Sequence, residues 1–230
     1  MKRLIILTVA IVLMFAMSAS AFERGLTGYG MKFGMNMANF GGKDAKAEEG
    51  EDKKMKMGFA AGGFVTYSIT EMFAVQPEVL YTMKGAKYEW EGGSATAKVD
   101  YLEIPVLAKV TIPTEGNIGP HLFIGPSLGI LLSAKEKVEI DGEDPEGLAG
   151  EEDAKDWTKS TDFGLVFGAG VDIGMPHSAI TIDGRFELGL STIEKDYECT
   201  YSYDGETITE TCEAGDVKNS VISFMVGYSF

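Results

Sequence analysis

Apolar and small or polar residues alternate with a period of two along most of the chain. From Gly28 to Asn39, Tyr29, Met31, Phe33, Met35 and Met37 take the odd positions. Gly28, Gly30, Lys32, Gly34, Asn36 and Ala38 take the even ones. The same alternation recurs over 57–69, 73–83, 102–112, 122–132, 163–173, 180–190 and 222–230. A period of two places successive side chains on opposite faces of a strand, so these stretches predict β-strands. They are long for a soluble sheet, whose strands run to five or six residues as a rule.

The character of the two faces decides between fold classes. In each stretch the greasy face carries no charge, and every charge within a strand falls on the other face. That other face is rich in Gly, Ala and Ser. A soluble sandwich turns its greasy face inward and shows water a face rich in Lys, Glu and Thr. Small residues inside and large apolar residues outside suit a narrow barrel in lipid. Connections agree: 69–72, 111–119 and 174–179 are short, and 40–56, 85–98, 135–160 and 194–216 are long and polar. Short and long connections alternate, as periplasmic turns and extracellular loops do. The expectation is an all-β fold, an eight-stranded antiparallel transmembrane β-barrel with short periplasmic turns and four long extracellular loops. Its last strand should close against the first, leaving no free edge. Tyr228 and the terminal Phe230 resemble the C-terminal signature that the outer-membrane assembly machinery reads, and they also suit an interfacial aromatic girdle. Pro77, Pro105 and Pro126 fall inside predicted strands, which requires bulges or interrupted ladders.

The N-terminus sets the compartment. Met1-Lys2-Arg3 is a positive n-region, 4–16 is apolar, and Ala19-Ser20-Ala21 is a small-x-small cleavage site. Residues 1–21 read as a cleaved signal peptide and 22–230 as the barrel domain. The expected location is the cell outer membrane of a Gram-negative bacterium. The formal net charge of −15 becomes −17 when Lys2 and Arg3 are removed, which argues against a nucleic-acid partner. The expected partners are outer-membrane lipid and lipopolysaccharide, the assembly machinery and an extracellular ligand whose nature is unknown. The expected state is a monomer.

Two motif-bearing stretches, QPEVLYTMKGAKYE at Gln76–Glu89 and VDYLEIPVLAKV at Val99–Val110, are followed by GPSLGILLSAK at Gly125–Lys135. Together they resemble the PorT-like outer-membrane β-barrel family. The resemblance implies the barrel and places Pro77 and Pro105 within family motifs. It implies no activity, because most members have no assigned substrate.

Candidate chemistry is sparse. His177 lies in a short turn and His121 at the start of a strand, so both read as structural, and no catalytic residue, cofactor or metal site is predicted. The acidic run in 135–160 lacks the spacing of an EF-hand and reads as a solvated loop. Cys199 and Cys212 flank YSYDGETITET; a disulfide there would close a short loop worth roughly 3 kcal/mol, around a hairpin turning at Asp204-Gly205. The inward charges are the main candidates. Lys32, Glu78, Lys84, Glu103, Lys109, Asp183, Arg185 and Glu187, with Asp162 and Asp172, should form a network that plugs the lumen. Arg185 is the expected hub, with Glu78 and Glu187 as acceptors and Lys32 balancing the excess negative charge. A narrow channel for ions or small solutes is the alternative; a secretion accessory or an enzyme follows behind.

Overall fold

A computed structural model describes residues 25–47, 50–141, 149–203 and 206–230; for 197–203 and 206–210 it describes the backbone alone. The expected signal peptide lies outside the described residues. Eight strands form the wall of a ring: β1 (Gly25–Gly41), β2 (Asp52–Ser68), β3 (Phe73–Trp90), β4 (Gly93–Thr111), β5 (Ile118–Ile140), β7 (Thr161–Met175), β8 (Ser178–Gly189) and β11 (Lys218–Ser229). A short β6 (Gly150–Asp153) continues the wall beside β5, and β9 (Tyr197–Tyr203) with β10 (Glu206–Cys212) makes a separate hairpin. All ladders are antiparallel, and β4 pairs with β5 as well as with β3.

Closure occurs between the first and last strands. Met31 stands opposite Tyr228, Phe33 opposite Val226 and Met35 opposite Phe224. These pairs are outward: Met31 is 70%, Phe33 67% and Phe224 61% exposed. Their even-numbered neighbours Lys32 and Asn36 are buried in the lumen. Among the described residues no helix is long and apolar enough to cross a membrane, and the apolar belt is carried by strands.

Strands extend further than the alternation predicts. Residues 85–98 form no loop: β3 and β4 continue to a two-residue turn at 91–92, where Gly92 has φ +93°. Likewise β2 begins at Asp52 and β5 reaches Ile140. The cause is solvent. Where a barrel wall leaves lipid, both faces meet water, so the greasy-out pattern ends before the hydrogen-bonded ladder does.

Prolines do not sit at bulges. Pro77 stands opposite Val106 and pairing resumes at Leu80 opposite Glu103, in the same register. Pro105 stands opposite Ser127 and pairing resumes at Ala108 opposite Ile124, again without a shift. Register shifts fall elsewhere, at Leu26/Gly28, Met55/Ala60 and Asp100/Tyr101. Missing proline N–H groups therefore interrupt the β3–β4–β5 ladders locally without sliding the strands.

Candidate functional site

The interior of the ring is polar and is organised in two layers. In the layer nearer the termini, Arg185 on β8 donates from Nη1 to Glu78 Oε2 (2.8 Å) and from Nη2 to Asp183 Oδ2 (3.1 Å). Lys32 on β1 donates to the same two carboxylates, Glu78 at 2.9 Å and Asp183 at 2.6 Å. Gln76 Nε2 adds a bond to Glu78 Oε1 at 2.7 Å. Lys32 lies over the Phe64 ring and Arg185 over the Phe123 ring, which supports cations where water is excluded.

This layer continues toward the periplasmic mouth. His121 Nε2 is 2.9 Å from Asp183 Oδ1, and His121 Nδ1 is 3.2 Å from Asp172 Oδ2. Lys109 reaches Asp172 at 2.7 Å. Thr181 donates to Asp172 Oδ1 at 2.7 Å. Gly170 makes room for the imidazole: a Cβ there would meet Asp183 Oδ1 at 2.4 Å and His121 Nε2 at 2.7 Å.

The outer layer centres on Lys84 of β3. Its ammonium contacts Glu187 (2.5 Å), Glu103 (3.6 Å) and Asp162 (3.7 Å) and lies over the Tyr101 ring. Ser127 donates to Glu103, and Asn219 and Ser191 donate to Asp162. Lys84 is 0% exposed and Asp162 1%. Among the described residues no ion pair joins this layer to the other.

The expected network members are thus brought together, but in different partnerships. Arg185 does not pair with Glu187; its acceptors are Glu78 and Asp183, and Glu187 belongs to Lys84. Arg185 stands between Asp183 and Glu187 on one face of β8, two residues from each, and its guanidinium turns toward Asp183, leaving Glu187 to Lys84. His121 is also misread as an interfacial residue, being buried between two carboxylates. Its odd position in β5, in phase with Phe123 and Ser127, is the signal that places it inward. Lys56, in a stretch read as loop, is buried with its ammonium on the Lys84 carbonyl at 3.0 Å.

At the rim near the termini, Phe230 stacks on Tyr29 (5.8 Å) and meets Tyr228 edge-on (4.9 Å), and its N–H donates to the Tyr29 carbonyl. Cys212 is disulfide-bonded; the side chain of Cys199 and the Asp204-Gly205 turn lie outside the described residues. Among the described residues no group of three or more His, Cys, Asp or Glu side chains is placed to hold a metal ion. Beyond the membrane, the strand extensions and outer connections enclose a cavity of ≈ 610 Å³ above Val99.

Residues 19–194 match the model of a family described as outer membrane protein beta-barrel domain. No curated protein matches the chain. Among solved structures, Neisserial surface protein A is similar at 14% identity and a TM-score of 0.44, over 88% of this chain and 97% of that one. Ail, the attachment invasion locus protein of Yersinia pestis, gives 16% and 0.39, over 88% and 98%. OprG from Pseudomonas aeruginosa gives 11% and 0.44, over 90% and 97%. At such identities and scores these likenesses carry no argument about the function of this chain.

Proposed function

The chain belongs to the outer membrane protein beta-barrel domain family, and from that premise we propose a barrel closed to ions whose work is done at its extracellular face. The observation that supports a closed lumen is the pair of ion-paired layers, Arg185–Glu78–Asp183–Lys32 and Lys84–Glu187–Glu103–Asp162, built from side chains of three and four strands respectively. Eight strands leave an interior that side chains fill. Ions crossing it would have to displace buried charges already paired with one another, which costs several kcal/mol. With the lumen closed, the solvent-facing strand extensions and connections are the surface left for recognition.

Finer features belong to the same reading. The PorT-like motifs at Gln76–Glu89 and Val99–Val110 favour that branch of the family. Residues 1–21 act as the export signal, and Phe230 with Tyr228 as the assembly signal. No catalytic role is proposed: His121 is held between Asp172 and Asp183, and His177 lies in the short turn between β7 and β8. Conductance in planar lipid bilayers tests the proposal. Silence at 100 mV supports it, and steady openings of one unit size would establish the narrow channel instead.

A further inference from the structure

The cavity of ≈ 610 Å³ at the extracellular mouth is of the size that takes a small organic molecule, about 300–1,000 Å³. Its walls are apolar and aromatic: Phe40, Tyr88, Val99, Trp157, Ile193 and Val217. Below them Tyr101 and Ala134 are fully buried and close the floor. Trp157 stands at the entrance, 51% exposed.

Charge at this mouth is one-sided. Five carboxylates line it, Asp44, Glu136, Glu152, Asp153 and Glu194, against the two ammoniums of Lys135 and Lys195. Both ammoniums are engaged: Lys135 with Glu151 at 2.7 Å and Lys195 with the Lys155 carbonyl at 3.0 Å. Three of the carboxylates are also engaged, accepting backbone N–H groups from Asp216, Gly215 and Lys155. The remaining two, Glu136 and Glu152, stand directly opposite each other across β5 and β6. Like charges so placed repel, and among the described residues neither is joined to a cation in an ion pair. Burial and the fields of Glu51 and Glu194 push the Tyr88 phenol above its usual value.

We infer that this mouth binds an organic cation with an apolar body, an aryl- or alkylammonium, its charge between Glu136 and Glu152 and its body against Tyr88, Trp157 and Phe40. This deepens the proposed role of the extracellular face and rests on it. Aromatic faces attract ammonium groups, more so where water is thinned. A bare metal ion fits less well, because among the described residues no three of the carboxylates are grouped to hold one and it would leave the aromatic wall unused.

The test uses the mature full-length protein in a non-ionic detergent. Trp90 and Trp157 are the two tryptophans of the chain, so Trp90→Phe leaves Trp157 as the reporter. Benzyltrimethylammonium should change its emission saturably, with benzenesulfonate and benzyl alcohol at least about tenfold weaker. Glu136→Gln/Glu152→Gln should weaken the ammonium by about tenfold while unheated gel mobility shows an intact barrel. Equal responses to ammonium and sulfonate, an unsaturable response to all three, or no loss in the double variant would overturn the proposal. So would Ca²⁺ saturating the site and excluding benzyltrimethylammonium, which would make the glutamates a divalent site. These outcomes are separable from the closed-lumen reading. A silent bilayer with no ammonium binding sinks the ligand alone, and steady openings with ammonium binding sink the closure alone.

Discussion

Replacing Lys84 by Met removes the one cation that, among the described residues, pairs with the carboxylates of the outer lumen layer. Lys84 faces Glu187, Glu103 and Asp162 across three different strands, so the layer goes from one ammonium against three carboxylates to none against three. Methionine keeps nearly the length of the side chain, which leaves little cavity term. Stripping a buried ion pair of one partner costs about 3–5 kcal/mol, and here three acceptors lose the same partner. Lys32→Met is the matched control. It removes an ammonium equally buried, yet Arg185 still contacts both Glu78 and Asp183, so the loss should be that of charge-assisted bonds alone, roughly 1.5–3 kcal/mol. Urea unfolding of the barrel in lipid vesicles, read by tryptophan emission and heat-dependent gel mobility, gives both values. Adding Glu187→Gln to Lys84→Met should recover part of the loss, with a coupling of about 0.5–3 kcal/mol. If Lys84→Met costs no more than Lys32→Met, the outer layer is not the buried charge cluster its geometry describes. If both cost nothing, the lumen is hydrated throughout.

Other consequences are narrower. Phe224→Arg places a charge on the lipid face midway along β11, opposite Met35 and Gly184; it should cost about 2–4 kcal/mol in the same unfolding assay, and tolerance would mean that this face does not meet lipid. Lys135 and then Lys98, each hydrogen-bonded to Glu151 at 2.7 Å, hold its carboxyl well below the ordinary 4.5, at about 2. That contribution to β5–β6 pairing is present above pH 4.5 and lost as pH falls through about 2. Resonances of β6 should weaken over that window while those of β7 persist, and Glu151→Gln should abolish the dependence. Deleting Phe230 should slow membrane assembly in cells far more than folding of the purified chain into detergent; equal slowing would assign the residue to stability alone.

What the sequence made legible follows from what alternation encodes. Period two assigns a face to every strand residue, so Lys32, Lys84, Glu103 and Arg185 were identifiable as inward from the chain alone. It does not encode shear. Lys84 meets Glu187 from a strand elsewhere on the ring, 103 residues away, and no ladder pairs their strands. Only the stagger of the closed wall brings them level, which is why Arg185 was legible as a member of the network while one of its partners was not. Strand ends were illegible for a related reason. At 85–98 both faces are wetted, so the contrast that marks a strand in lipid vanishes although the ladder continues. His121 was missed because a ring at a strand's mouth suits an interface equally well, and its burial depends on Gly170 yielding space on the neighbouring strand.

The division of the lumen into two layers bears on how closure would fail. No ion pair joins the layers among the described residues, so losing one should leave the partners of the other in place. On the proposed reading each layer is a separate seal, and an ion must break both. Lys84→Met in bilayers should therefore remain silent even though the barrel is destabilised. Lys32→Met should remain silent too, because Arg185 still spans Glu78 and Asp183. Opening should require loosening both layers, as in Lys84→Met combined with Arg185→Met. The carboxylates left in that variant, Glu78, Asp183, Glu103, Asp162 and Glu187, would line the path, so its current should be carried by cations. Measuring reversal potential under a salt gradient checks this. Conductance from Lys84→Met alone would show that the outer layer is the sole barrier and the inner one merely structural. A silent double variant that still runs as a folded barrel would show that apolar packing of Phe64, Leu107 and Phe123, buried in the same interior, closes the lumen without help from charge.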